Sequence, residues 1–166
     1  MHALLAALLF AITSVKAGPH TITMKVPAGW RQLQASEIKG GRPVVLAMKR
    51  DSADRLAPKA EIVSSQIPAE MRSMPLMERA QRIVASMFAS LGPGAKYDVA
   101  PRATNVGGLP AVEWVVRFNL ADKAMISRMI VIADGSTMDL ITYAAPAAAT
   151  ADFQAFNDAV KSLTIK

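Results

Sequence analysis

The sequence predicts an α+β fold: an antiparallel β-sheet with helices packed on its faces. Three observations carry this. Segments with strand periodicity come in series, interrupted by helical ones rather than alternating with them one for one. Two segments, over 75–91 and 150–163, carry an apolar stripe at helical spacing. Short turn signals, Asp134-Gly135 the strongest, join the strand-like segments of the second half.

The elements follow in order. Thr21 to Val26 alternates, with Ile22, Met24 and Val26 on one side and Thr21, Thr23 and Lys25 on the other. Pro27 and Gly29 end that strand and turn Trp30 back onto the core, and a brief strand over Arg31 to Gln34 can follow. Gly40-Gly41 breaks the chain. Pro43 to Lys49 is apolar on both faces, as a central strand is. Arg50 to Pro58 reads as a charged loop and Lys59 to Gln66 as a further strand, before a connection over Ile67 to Pro75.

The helix from Pro75 to Leu91 sets Leu76, Met77, Ala80, Ile83, Val84, Met87, Phe88 and Leu91 on one face. Glu78, Arg79, Gln81 and Arg82 fall on the other, and Gly92-Pro93-Gly94 stops it. Tyr97 to Asn105 is the next strand, then a turn over Gly107 to Pro110. Ala111 to Leu120 alternates, with Val112, Trp114, Val116, Phe118 and Leu120 inside and Glu113, Arg117 and Asn119 outside. Ala121-Asp122 turns into a central strand, Lys123 to Ala133, and Asp134-Gly135 into Thr137 to Ala144. In the last helix Thr150 is expected to cap, Asp152 lies in the first turn, and Phe153, Phe156, Val160 and Leu163 form the buried stripe.

Composition bounds the function. The chain has 166 residues, a formal charge of +6, 52% hydrophobic residues, two histidines and no cysteine. A disulfide framework, a thiol nucleophile and a thiolate zinc site are excluded. The positive charges are scattered, without the clustering and interleaved aromatics of a nucleic-acid surface, so no nucleic-acid partner is expected.

The first 17 residues read as a cleavable export signal. Thirteen of them are apolar, with an unbroken run of 10 from Ala3 to Ile12. That is too short to span a bilayer, which takes about 20 residues, and suits a signal core. Val15-Lys16-Ala17 sets small residues ahead of a cleavage between Ala17 and Gly18. Residues 18–166 are then a single domain, periplasmic or secreted, held without disulfides and with no stable membrane anchor after cleavage.

Val26-Pro27-Ala28-Gly29-Trp30, Gly108-Leu109-Pro110-Ala111 ahead of Trp114, and the last helix with Phe156, Val160 and Ser162 together resemble the PsbP-like superfamily, closest in flavour to exported bacterial DcrB-like proteins. The order of elements matches across nearly all of residues 18–166. The resemblance implies an αβα sandwich and a non-catalytic accessory role in protein binding, with no shared catalytic residues and no cofactor. Many bacterial relatives carry a lipid-bearing cysteine after the signal. Gly18 stands there in this chain, so release as a soluble protein is implied.

Individual residues support no enzyme. No serine lies in a G-x-S-x-G turn, His20 sits close to the new N-terminus as a mobile residue, and Asp134 and Asp139 read as turn-flanking and solvated. Met71, Met74 and Met77 have the spacing and soft sulfur donors of a Cu(I) site, although core or rim packing explains them as well. Arg79 and Arg82, on the exposed face of the first helix, can form with Arg72 a basic strip for an acidic partner or lipid, although a solvated helix face explains them as well. The expected function is an exported accessory domain that docks an envelope protein. The alternative is a binder of a small apolar ligand or lipid, in a pocket lined by Met87, Met125 and Met129 between sheet and helix.

Overall fold

The computed structural model describes residues 12–17, 20–38 and 43–166. Among the described residues ten strands and two α-helices follow one another as β1 (Ile12–Ala17), β2 (His20–Lys25), β3 (Trp30–Gln32), β4 (Val44–Arg50), β5 (Lys59–Gln66), α1 (Leu76–Leu91), β6 (Lys96–Val106), β7 (Leu109–Leu120), β8 (Lys123–Asp134), β9 (Thr137–Pro146), α2 (Thr150–Lys161) and β10 (Thr164–Ile165). The larger sheet has seven strands in the order β3-β4-β5-β9-β8-β7-β6, and a smaller one runs β1-β2-β10. Every pairing is antiparallel. The α+β expectation is met, and β4 and β8 are interior strands as their two-sided apolar character required. No described helix is long and apolar enough to cross a membrane.

The two faces of the large sheet are separated by the period-2 alternation of its central strands. Val112, Trp114 and Val116 of β7 and Met129 and Val131 of β8 pack with Ala80 and Val84 of α1. Ala111 and Val115 of β7, and Ile126, Ile130 and Ile132 of β8, belong to the other cluster, which takes Phe156, Ala159 and Val160 from α2 and Ile22 and Met24 from β2. Both faces are therefore covered. This corrects the picture of β7 as a half-exposed strand: Ala111 to Val116 are all buried, Glu113 included, and Leu120 is exposed. The alternation is real, but α2 covers the side that reads as outward.

The β7–β8 hairpin turns on Ala121 and Asp122, with φ of 50° and 62°. Two consecutive left-handed residues match the right-handed twist of the strands they join, which is why a two-residue loop suffices. Gly107 has φ of 61°, and a Cβ there would lie 2.9 Å from Ile165 Cγ1 and 3.0 Å from Leu163 Cδ2. Glycine is thus required where the β6–β7 turn meets the C-terminal strand. Leu109 and Pro110, expected in that turn, already belong to β7.

The N-terminal part departs most from expectation. Ile12–Ala17, the tail of the expected signal, forms strand β1 paired along its whole length with β2. Ala17 is entirely buried there, at the residue expected to precede cleavage. Residues 1–11 and Gly18 lie outside the described residues. Strand β10 escapes any sequence reading, because two residues carry no period.

Candidate binding clefts around helix α2

Helix α2 is the element around which the polar and apolar features of the molecule gather. Its N-cap is Ala149, without a side-chain bond, and Thr150 is its first helical residue rather than its cap. The N-terminal turn is held instead by Asp152, whose Oδ1 accepts from Trp30 Nε1 and Arg50 Nη1, each at 3.1 Å. A carboxylate in the first turn also complements the helix dipole. The buried face of α2 lies on Tyr143 of β9. The Tyr143 ring is 4.8 Å from that of Phe156, 5.5 Å from that of Phe153 and 6.2 Å from that of Trp30. Burial and the nearby Asp152 carboxylate push the Tyr143 hydroxyl far above its ordinary pKa.

Asn157 ties the middle of α2 to the sheet. Arg128 Nη1 donates to Asn157 Oδ1 at 2.7 Å, while its Nε donates to Glu113 Oε2 at 3.1 Å. Arg102 Nε and Nη2 donate to Glu113 Oε1 at 2.9 and 2.7 Å. Burial alone would raise the Glu113 carboxyl, but the bonds from Arg128 and then Arg102 outweigh it and hold the group below its ordinary value.

Of the clefts beside the helix, two have mostly apolar linings. One, of about 290 Å³, lies between its C-terminal half and the β2–β3 turn, with Val26, Pro27, Ala28, Ala155 and Ala159 as apolar walls and Lys25 and Asp158 at the rim. The other, of about 270 Å³, lies under its N-terminal half, with Val99, Val115, Ile126, Ala147 and Phe153 as walls and Thr150 and the Asp98–Arg117 ion pair at the rim. Both clefts open to solvent. Apolar walls with a few polar groups at the mouth suit recognition of an apolar side chain or a short apolar ligand.

The residues expected to form a site fare differently. Arg79 is corrected outright. It is buried at 8% exposure, and its Nε and Nη2 donate to the carbonyls of Met74 and Arg72 at 2.8 and 2.6 Å. Its work is to satisfy backbone acceptors in the turn before α1. Arg72 and Arg82 are exposed. Arg72 Nε donates to the Ile67 carbonyl, and Arg82 pairs with Glu78 one turn back at 3.2 Å. The three arginines therefore do not make one continuous basic strip. Met71 ends a 3₁₀ turn over Ala69–Met71, Met74 sits just before Pro75, and Met77 packs on the α1 cluster, all three partly buried. Met129 and Met87 belong to that α1 cluster, whereas both clefts lie beside α2.

His20 and Asp139 are the positions that sequence reasoning misjudged most. Both are taken from the surface into the space between the sheets. Asp139 is buried and faces Ser64 across the β5–β9 pair, and His20 Nε2 lies 3.6 Å from Asp134 Oδ2. Burial raises the Asp139 carboxyl, a hydrogen bond from Ser64 and the nearby His20 only partly offsetting it. Among the described residues its Oδ1 has no hydrogen-bond partner. The Ser64 hydroxyl is bonded to the Asp139 carboxylate itself and His20 lies near both Asp139 and Asp134, so these groups are not ordered as a nucleophile–base–acid relay. They do not assemble a metal site either: no group of three such ligands forms among the described residues.

The buried acid has a consequence for stability. A carboxyl whose folded pKa is raised favours folding below its unfolded pKa, and that contribution is lost as pH rises through the folded value. Asp139→Asn is therefore expected to stabilise the protein at pH 7 by about 1 kcal/mol. The gain should vanish toward pH 4. Urea unfolding across that range reads it, and an unchanged difference at all pH values would refute the assignment.

No protein-family model and no curated protein matches the chain. Solved structures do. LpqN, involved in cell envelope biogenesis of Mycobacterium tuberculosis, is similar at TM-score 0.68 and 19% identity, over 95% of this chain and 92% of its own. The cyanobacterial PsbP, CyanoP, of Synechocystis sp. PCC 6803 is similar at TM-score 0.61 and 11% identity, over 100% and 99%. The protein PA94 of Pseudomonas aeruginosa is similar at TM-score 0.57 and 16% identity, over 91% and 94%. Likeness over nearly whole chains at such low identity speaks for architecture, and the chain has the PsbP-like fold.

Proposed function

We propose that the protein is an exported, soluble, non-catalytic accessory domain that binds another protein of the cell envelope through the clefts flanking α2. The layering, with α1 on one face of the large sheet and α2 on the other, is read as an αβα sandwich. The observation that carries the binding reading is the character of these clefts. They are open, apolar recesses of about 290 and 270 Å³ beside a closely packed interior, not an enclosed chamber. Open recesses receive side chains of a partner, whereas a small apolar ligand is held best where most of its surface is enclosed. The involvement of LpqN in envelope biogenesis supports the location.

The 270 Å³ cleft keeps a second reading alive, because it lies between sheet and helix and its walls are Val115, Ile126 and Phe153. A photo-crosslinking residue at Ala155, in the wall of the first cleft, should join a single envelope protein, and one at exposed Gln81 on α1 should not. Ala155→Arg should reduce the affinity for that protein at least tenfold while leaving the unfolding midpoint unchanged. Equal crosslinking at both positions would refute the protein reading. A constant small-molecule mass retained in native mass spectrometry would favour the ligand reading.

A further inference from the structure

We propose that removal of residues 1–17 uncovers the outer edge of β2 as a docking site for an extended strand of another protein. The inference rests on the export reading above and names a second surface, distinct from the α2 clefts.

Among the described residues strand β1 pairs with β2 alone and is the outer strand of the small sheet. The two strands match over six register pairs, Ile12↔Lys25 through Ala17↔His20. Thr21 exchanges both backbone bonds with Lys166, so its N–H and C=O face β10. In an antiparallel strand the direction of the backbone groups alternates, so those of His20, Ile22 and Met24 face β1. Loss of β1 leaves these groups unpaired along an edge whose inward side chains, Ile22 and Met24, are core residues. An unpaired strand edge is a template for another strand.

The strand that now occupies the edge shows what fits there. Its inward residues are Thr13, Val15 and Ala17, and its outward ones Ile12, Ser14 and Lys16 are exposed. Ala17 is entirely buried and Val15 packs on the main cluster. The vacated space thus takes a β-branched residue and, two positions on, a residue no larger than alanine. This selects against a second copy pairing edge to edge. Copies of β2 would bring Ile22 and Met24, which are too large for the place of Ala17. The partner is therefore another chain, with a segment patterned Thr-x-Val-x-Ala.

The test uses the protein as recovered from the envelope of cells making the full chain. Its intact mass should correspond to a first residue at Gly18. A fluorescent peptide with the sequence of residues 12–17, Ile-Thr-Ser-Val-Lys-Ala, should bind this processed protein saturably. It should bind the unprocessed full chain at least tenfold more weakly, because β1 already fills the edge. The Ala17→Trp version of the peptide should lose at least tenfold in affinity. A processed protein with native tryptophan emission that binds neither peptide, or binds both equally, overturns the inference, as does self-association through the edge. In those cases crosslinking from Ala155 can still succeed and protein binding stands. A recovered chain that retains residues 12–17 overturns the export processing itself.

Discussion

Truncating Phe156 to alanine is expected to lower the unfolding free energy by about 4 kcal/mol. Phe156 is fully buried, and its ring lies 4.8 Å from that of Tyr143 at an interplanar angle of 24°. The loss combines the transfer of a large apolar surface with the cavity left where α2 meets β9. The stacked pair adds roughly 1 kcal/mol beyond area. Against the 5–15 kcal/mol typical of a domain, this removes a large share of the total. Urea unfolding should show a lower midpoint with an unchanged slope, since the surface exposed on unfolding stays nearly the same. A changed slope would mean that α2 detaches from the native state. Both clefts depend on α2, so binding should weaken in parallel. Phe156→Leu separates the two effects: it keeps most of the burial, and should keep α2 in place with a smaller loss.

Arg128→Met should cost about 3 kcal/mol. Arg128 is mostly buried and contacts both Glu113 Oε2 and Asn157 Oδ1, so its removal leaves a buried carboxylate supported by Arg102 alone. Arg102 is 65% exposed and screened by solvent, so it compensates poorly. The pH dependence follows from the Glu113 carboxyl being held below its ordinary value. Its contribution is present above the unfolded pKa and is lost as pH falls through the folded one. Wild type should therefore lose stability in the acid range, and Arg128→Met should show a shallower acid limb. The double variant Arg128→Met, Glu113→Leu should recover most of the loss, because a packed apolar pair avoids the desolvation of a lone carboxylate. Failure of the double variant to recover would show that Asn157, rather than Glu113, depends on Arg128.

These two positions mark where sequence reasoning stops. Phe156 is legible without coordinates, since an aromatic residue in the stripe Phe153, Phe156, Val160 has an obvious inward direction. Glu113 is legible only in the wrong sense. It alternates with Val112 and Trp114 and so reads as solvent-facing, yet it faces the space that α2 and Arg128 close. Arg79 misleads in the same way on α1, because nothing local announces that two carbonyls of the preceding turn need a donor. His20 and Asp139 lie far apart in sequence, and their approach depends on how β2 is laid against β9.

The strand and helix segments from β2 to α2 and their alternation were determined by the sequence alone, because they follow from periods of 2 and 3.6 written into neighbouring residues; β1 and the two-residue β10 were not. The same local patterns marked nearly every turn, with Gly107, Ala121-Asp122 and Asp134-Gly135 at the ends of strands. Tertiary structure decided which faces are covered. A sheet strand has two sides, and whether the second meets water depends on a helix that arrives some forty residues later, as α2 does over Val115 and Glu113. The clefts beside α2 and the pairing of β1 with β2 also exist only once distant segments meet. Burial, charge pairing and binding surfaces are properties of that meeting, and no window of the chain contains them.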